Sequence, residues 1–438
     1  MTATPAQRSD PIPTPASASA PAPAPGFAEL ATTLRQTIGG AGYIAWHALA
    51  RRDPLMRLFT PAGRRHRYAI FEELRPRGPV SRSTAGMLSV VDHRMADALL
   101  RRRDTTVTDR GNSGLGVVDL SLLITDPPDH TRLRALVAPA FTPRRMREQE
   151  ERIATAIDAL ADRLVDQLAD GPVDLVAAYA KPLPVLMITS LLGIPDAEVD
   201  ALAGWGDAIG RSLDGVQSMS QRRQLVEADH QLRALMERLI EQRRRQPGDD
   251  VISHLVAAED AERLTHAELV PLAILLLVAG FETTVNLLGN AVSALLERPD
   301  LWRRLTDDPD LAERAIDETL RYDPPVQFLG RTATADMDVE GHPFRAGDIV
   351  VMLVGAVNRD PQLFERPLEF SLDRPRPREH LAFGSGIHHC VGRPLAELEG
   401  RLALAALARR LPRLRRAGHE SLHQGVTLNG RRTLPVRS

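Results

Sequence analysis

The chain has a single thiol. Cys390 can form neither an intramolecular disulfide nor a multi-cysteine zinc site, so it is either a small apolar residue or a reactive, metal-ligating thiolate. Its neighbours favour the second. Phe383 and Gly386 stand seven and four residues before it, and Gly392 two after it. With 10 Phe and 30 Gly in 438 residues, chance places all three with a probability of roughly one in ten thousand. Gly384, Gly386 and Gly392 allow a tight turn and the close approach of a flat partner. Pro394 and the helix-favouring run 395–407 follow at once. The spacing therefore predicts Cys390 just ahead of a helix N-terminus, whose dipole end lowers a thiol's pKa.

Three further groups could do chemistry. Ala279-Gly280-Phe281-Glu282-Thr283-Thr284 puts an acid and two hydroxyls into a strongly apolar helical pattern. The threonines can bond back to their own helix, but a buried Glu282 needs a partner or a purpose. His130 and Arg134, four apart, share a helix face and could clamp a carboxylate, or simply form a charged surface. Glu318 and Arg321 are three apart on another helix, a pair worth little if exposed.

A thiolate in a glycine-rich loop is what haem iron takes as an axial ligand favouring O–O cleavage. The stretch Phe383-Gly-Ser-Gly-Ile-His-His-Cys390-Val-Gly392 resembles the haem-binding signature of the cytochrome P-450 superfamily, Phe-x-x-Gly-x-x-x-Cys-x-Gly. The resemblance runs over residues 60–438, with four motifs in the expected order. It implies haem b as cofactor, Cys390 as its iron ligand, and Phe383, Gly384 and Gly392 shaping the loop. His388, His130, Arg134 and Arg331 would hold the propionates. It also implies that Ala279 and Gly280 leave room for dioxygen, that Thr283 is a hydrogen-bond donor in oxygen activation, and that Glu282 relays protons. Phe281, Phe328 and Leu329 would line the substrate pocket, and Glu318, Arg321 and Arg374 would form a buried scaffold triad. His389 is either an exposed filler or a tuner of the iron, and Arg393 either strengthens a basic face for an acidic electron donor or is merely exposed.

The implied function is a bacterial-type monooxygenase. It inserts one atom of O2 into an apolar substrate such as a macrolide, terpenoid or steroid, with electrons from a separate ferredoxin and an NAD(P)H-dependent reductase. A haem-thiolate peroxygenase or oxidative coupling enzyme is the alternative, and a non-catalytic haem-binding sensor or carrier a further one.

The elements that must position these residues read as mainly α with small β-sheets (α+β), in one large domain that buries haem between a long central helix and the cysteine loop. Thr265 and Glu268 form a capping box that starts this helix, and it runs to about Leu296. Shorter helices are expected at 68–75, 93–103 and from Asp129, with several more over 145–245; the resemblance implies that lid helices lie between Met187 and Ser220. Strands are expected at 80–82, 87–91, 326–331, 336–339, 342–344 and 349–354, and a hairpin at 422–434 whose tip near 427–429 touches substrate. Residues 1–26, rich in Pro and Ala, predict a disordered tail. Residues 27–59 predict short helices packed on the body, with an interfacial anchor as the alternative, and 60–438 the catalytic domain. The Gly- and Thr-rich connection 104–119 is expected to cover the substrate side of the haem.

A net charge of −2 offers no electrostatic reason to bind nucleic acid. The apolar run Leu272–Gly280 is too short to span a bilayer, so no transmembrane segment is expected. A cytoplasmic monomer follows, and one reduced cysteine agrees with that compartment.

Overall fold

The computed structural model describes residues 42–107, 121–195, 199–212, 218–423 and 425–438. The expected tail 1–26 and most of the 104–119 connection lie outside the described residues.

Twelve helices are used below. They are α1 Arg67–Leu74, α2 His93–Arg101, α3 Asp129–Val137, α4 Pro143–Asp170, α5 Pro182–Leu192, α6 Val199–Ser212, α7 Met219–Arg245, α8 Val251–Asp260, α9 His266–Leu296, α10 Pro299–Asp307, α11 Ala312–Tyr322 and α12 Arg393–Arg410. Helices dominate because long stretches repeat apolar residues at helical spacing and begin with good caps. Asp92, Thr142, Ser218 and Asp250 each accept a backbone N–H at the start of α2, α4, α7 and α8.

Helix α9 is the axis of the core. Glu268 accepts the Thr265 backbone N–H at 2.9 Å, closing the first turn as the capping pattern predicts. Arg132 of α3 also grips that carboxylate and, as the first of several causes, holds Glu268 down at about 2. From Leu269 to Val278 every residue is buried, and the largest apolar cluster wraps the helix with α4, α5, α7, α8, α11 and α12. By length and composition α9 could cross a membrane, yet 78% of its most apolar window is buried inside the protein. It is the core helix of this fold.

The main sheet joins β1 (Val80–Arg82), β2 (Leu88–Val90), β3 (Thr105–Thr106), β5 (Phe328–Ala333) and β8 (Ile349–Leu353) in the order β1-β2-β8-β5-β3; β4 is Val173–Asp174. Strand β2 runs parallel to β8, and the other pairs are antiparallel. Strands β6 (Met337–Val339) and β7 (His342–Phe344) form a hairpin. Strand β9 (Arg415–Arg416) joins β4 and β12 (Pro435–Arg437), while β10 (Ser421–Leu422) pairs with β11 (Arg431–Thr433).

The tip of that last hairpin packs against protein. Asn429 donates to the Pro325 carbonyl and Thr427 accepts the Gln327 N–H, both at 2.8 Å, and Leu428 and Asn429 are buried. Short helical segments at Trp46–Ala50 and Pro54–Arg57 bury Ala48, Leu55 and Met56, and leave Trp46 and Leu49 facing out.

Candidate functional site

The cysteine loop is held by backbone geometry. Gly384 and Gly386 sit at φ +69° and +70°, in the left-handed region that favours glycine. A Cβ on Gly386 would lie 2.5 Å from the Leu100 carbonyl oxygen, so the end of α2 can press on the loop only because the residue is glycine. The Cys390 N–H donates to the Phe383 carbonyl at 2.9 Å, which closes the loop immediately before α12.

The thiol lies deep among protein atoms while its side chain stays accessible. Burial pushes the Cys390 thiol up, against the opposing pull of the Gly392 and Arg393 amides and the Arg134 and Arg393 guanidiniums. The helix start thus favours the thiolate as expected, and burial opposes it. The amides do pull that way, but burial outweighs them, so a thiolate here needs a cation bound to sulfur.

Beside the loop, four basic side chains converge from three elements. His130 and Arg134 come from α3, Arg331 from β5 and His388 from the loop itself. The rings of His130 and His388 are 4.0 Å apart, tilted by 48°. His130 is 1% exposed and neither of its ring nitrogens has a partner; nor does His388 Nε2. Arg331 is buried and, among the described residues, donates only to its neighbour Gly330's carbonyl, at 2.7 Å. Burial lowers His388 to about 4, helped by the charges of His130 and Arg331, and burial followed by Arg134 lowers His130. Orphaned buried donors around a single accessible thiol are an incomplete arrangement. A flat group with two carboxylates and a thiophilic cation completes it, so the residues present fit haem.

On α9, Ala279 is exposed, directly after the buried run Leu269–Val278. Thr283 lies one turn on, and its Oγ1 donates to the Ala279 carbonyl at 3.1 Å. Successive helical residues turn by about 100°, and that rotation separates the remaining members of the motif. Gly280 faces α5, where a Cβ would meet Ile188 at 2.6 Å, so its smallness serves helix packing. Phe281, expected to line the substrate pocket, is instead 1% exposed in the core and pressed on Gly206 of α6. Glu282 lies beneath Gly210 of the same helix, its Cγ 3.3 Å from where a Cβ would be.

Strand alternation likewise splits the expected pocket pair on β5. Leu329 shares a face with Arg331 and lies near Gly384, whereas Phe328 points the other way and stacks on Phe59 at 6.3 Å. Phe328 thus belongs to the small cluster of Leu55, Leu58 and Phe71 rather than to the space by the loop.

The scaffold triad forms as the spacing and the later arginine suggest. Glu318 and Arg321 are fully buried, and Arg374 nearly so. Arg321 donates to both Glu318 oxygens at 2.8 and 2.9 Å, and Arg374 Nε lies 2.9 Å from each. This ties α11 to the segment that leads into the cysteine loop.

Two buried polar residues escape a reading of the sequence. Glu399 on α12 is fully buried with neither carboxylate oxygen partnered, and burial raises it well above the usual carboxylate range. Its signal is its place in the run Leu395, Glu399, Ala403, four apart along one buried face. Asn286, with both amide atoms unpartnered, continues the stripe of Ala279 and Thr283 along α9. The backbone of Gly430 packs so tightly on it that a Cβ would sit 1.8 Å from its Oδ1.

The sequence profile described as Cytochrome P450 matches residues 216–412. The "Putative cytochrome P450 140" of Mycobacterium tuberculosis is 35% identical over 414 residues, covering 90% of this chain and 94% of that protein. The "Mycinamicin IV hydroxylase/epoxidase" of Micromonospora griseorubida is 39% identical over 354 residues, 78% of this chain and 86% of that one. The ligand-free crystal structure of Mycobacterium smegmatis CYP164A2 superposes with a TM-score of 0.78 at 36% identity, covering 88% of this chain and 99% of the other. With this likeness over most of its length, the same fold, and a lone thiol facing a cationic cluster, the chain belongs to the cytochrome P450 family of enzymes.

Proposed function

We propose that this enzyme is a haem-thiolate monooxygenase that inserts one oxygen atom from O2 into a sizeable apolar substrate, with Cys390 as the axial ligand of haem b. The observation that carries the reading is the convergence of His130, Arg134, Arg331 and His388 beside the one thiol, with buried nitrogens of the two histidines left unpartnered. When bound, the haem supplies the redox chemistry of dioxygen activation.

The protein's part is to bind, orient and supply protons. His130 and His388 would donate N–H groups to the haem carboxylates, and Arg134 and Arg331 would neutralise them. Anions arriving there favour the charged histidines, reversing the depression that burial and like charge impose. On α9, Ala279 leaves space for a small molecule. Thr283 Oγ1 gives its one proton to the Ala279 carbonyl in this structure; rotation of the hydroxyl would turn that proton toward the space, and the Glu282 carboxyl would replenish it from the side covered by α6. Gly280 and Phe281, locked against α5 and α6, keep those groups fixed.

A groove between α4, α11 and α12 is lined by Arg147, Arg378, Arg393 and Arg401 and by as many acids, Glu150, Glu313, Asp317 and Glu397, so it carries no net charge. Electrons come from a separate ferredoxin and its reductase in this proposal, which the likeness to bacterial P450s supports. The mycinamicin relative supports a macrolide-like substrate, with terpenoids and steroids of similar size and polarity next. A cytoplasmic monomer belongs to the same proposal.

The test is the absorption spectrum of the reduced protein under carbon monoxide, in wild type and Cys390→Ser. A strongly red-shifted Soret band in the wild type alone is expected; a band insensitive to the substitution overturns the assignment. Turnover should require both ferredoxin and reductase, and sustained turnover with NADPH alone would rule out a separate donor.

A further inference from the structure

Arg393 is the first residue of α12, three past Cys390. Its guanidinium lies over the Phe383 ring, 5.4 Å from the centroid, and pairs with Glu397 one turn on at 2.8 Å. Both partners are about 70% buried, with side-chain exposures of 30% and 27%. Phe383 is the residue whose carbonyl holds the Cys390 N–H, and the rings of His380 and His389 flank it at 5.9 and 6.5 Å. The arginine is thus held on two sides, by a ring face and by a carboxylate, next to the cysteine loop.

Two backbone amides, those of Gly392 and Arg393, point at the sulfur, and any residue types at these positions would supply them. The guanidinium is a side-chain contribution, and it places a full positive charge beside the cysteine loop, three residues past Cys390. Arg134 does the same from α3, but it belongs to the carboxylate-binding cluster. Arg393 lies outside that cluster, and its contacts are with Phe383 and Glu397.

We propose that Arg393 is a positioning residue that sets how strongly the Cys390 sulfur donates to the iron, and that Glu397 moderates it. The inference rests on the haem-thiolate reading above. A fixed cation near the sulfur holds charge there, weakens donation and favours the reduced iron, so it raises the reduction potential. Glu397, bonded to the guanidinium, cancels part of that charge. The two residues therefore push the potential in opposite directions.

The experiment measures the ferric–ferrous potential of the haem-loaded protein in wild type, Arg393→Met, Arg393→Lys and Glu397→Gln, after recording each reduced carbon monoxide spectrum. Arg393→Met should disfavour reduction by about three- to tenfold, tenfold being about 59 mV for one electron. Glu397→Gln should favour reduction by a smaller factor, and Arg393→Lys, which keeps the charge, should lie nearer the wild type than Arg393→Met. Mere disturbance of the helix start would move both charge-removing variants the same way. Shifts of equal sign, or none in either, overturn the inference while the thiolate band still stands. A wild type without that band overturns the haem-thiolate reading and this inference with it.

Discussion

Replacing Glu318 by glutamine keeps the side chain's size and removes its charge from beneath two arginines. The carboxylate accepts Arg321 Nε and Nη2 at 2.8 and 2.9 Å, Arg374 Nε at 2.9 Å from each oxygen, and the Ser371 N–H at 2.9 Å. Glutamine would turn one of these acceptors into a donor facing donors. Arg321 keeps the carbonyls of Asn358, Pro367 and Glu369, at 2.9 to 3.1 Å, and Arg374 keeps those of Glu365, Arg366 and Glu369. Hydrogen bonding is thus only partly lost, whereas the counter-charge is lost entirely. Leaving buried guanidiniums without their anion costs about 3–5 kcal/mol. That is a large share of a typical total of about 5–15 kcal/mol.

Urea unfolding should therefore show the midpoint falling by about 1 to 1.7 M, for a slope of about 3 kcal/mol per M. The control is the bidentate pair Arg304–Asp373, with side-chain exposures of 42% and 69%, where Arg304→Met should cost about 0–1 kcal/mol. If the two variants lose the same amount, or Glu318→Gln loses less than about 1 kcal/mol, the reasoning from burial fails.

Glu399 gives a pH signature. Its folded pKa is raised above the 4.5 of an ordinary glutamate, so between that value and the folded one the unfolded chain has released a proton that the native state retains. Stability falls as pH rises through this window, and the wild type should lose ground to Glu399→Gln as pH rises above 4.5; melting curves with parallel pH slopes would refute it. Gly386→Ala places a Cβ against the Leu100 carbonyl at φ +70°, and should cost about 1–3 kcal/mol and lower haem content, where undiminished haem content at wild-type stability would contradict it. Gly206→Ala drives a methyl to 1.9 Å from the Phe281 ring, a loss of about 1–3 kcal/mol that Phe281→Leu should partly relieve; additive costs in the double variant would show that the two do not meet.

Signals that act over a few residues are legible in the chain itself. The capping box of Thr265 and Glu268 and the apolar run behind it predict a helix ending at about Leu296, and α9 ends there. Val80–Arg82 and Leu88–Val90 pair as the alternation suggests, with Ser81 opposite Ser89. Spacing alone places Glu318 and Arg321 on one face, but their burial depends on Arg374, 56 residues further on. The pocket assignments fare differently because a motif gives order along the chain and not direction around it. The rotation of about 100° per helical residue sends Gly280 and Phe281 away from Ala279, and strand alternation sends Phe328 away from Leu329.

By itself the sequence determined the cysteine loop, its glycines, the helix that follows, and the long apolar helix carrying an acid and two hydroxyls, because caps, turns and periodicity are local free energies. Only the tertiary structure decided that His130 and His388 meet beside Arg331 with buried ring nitrogens left unpaired, and that Glu399 sits in the core with no partner. It also decided that the Cys390 thiol is raised rather than lowered. Each of these depends on burial and on charges brought from distant parts of the chain, and desolvation at a point in space is a property of everything packed around it.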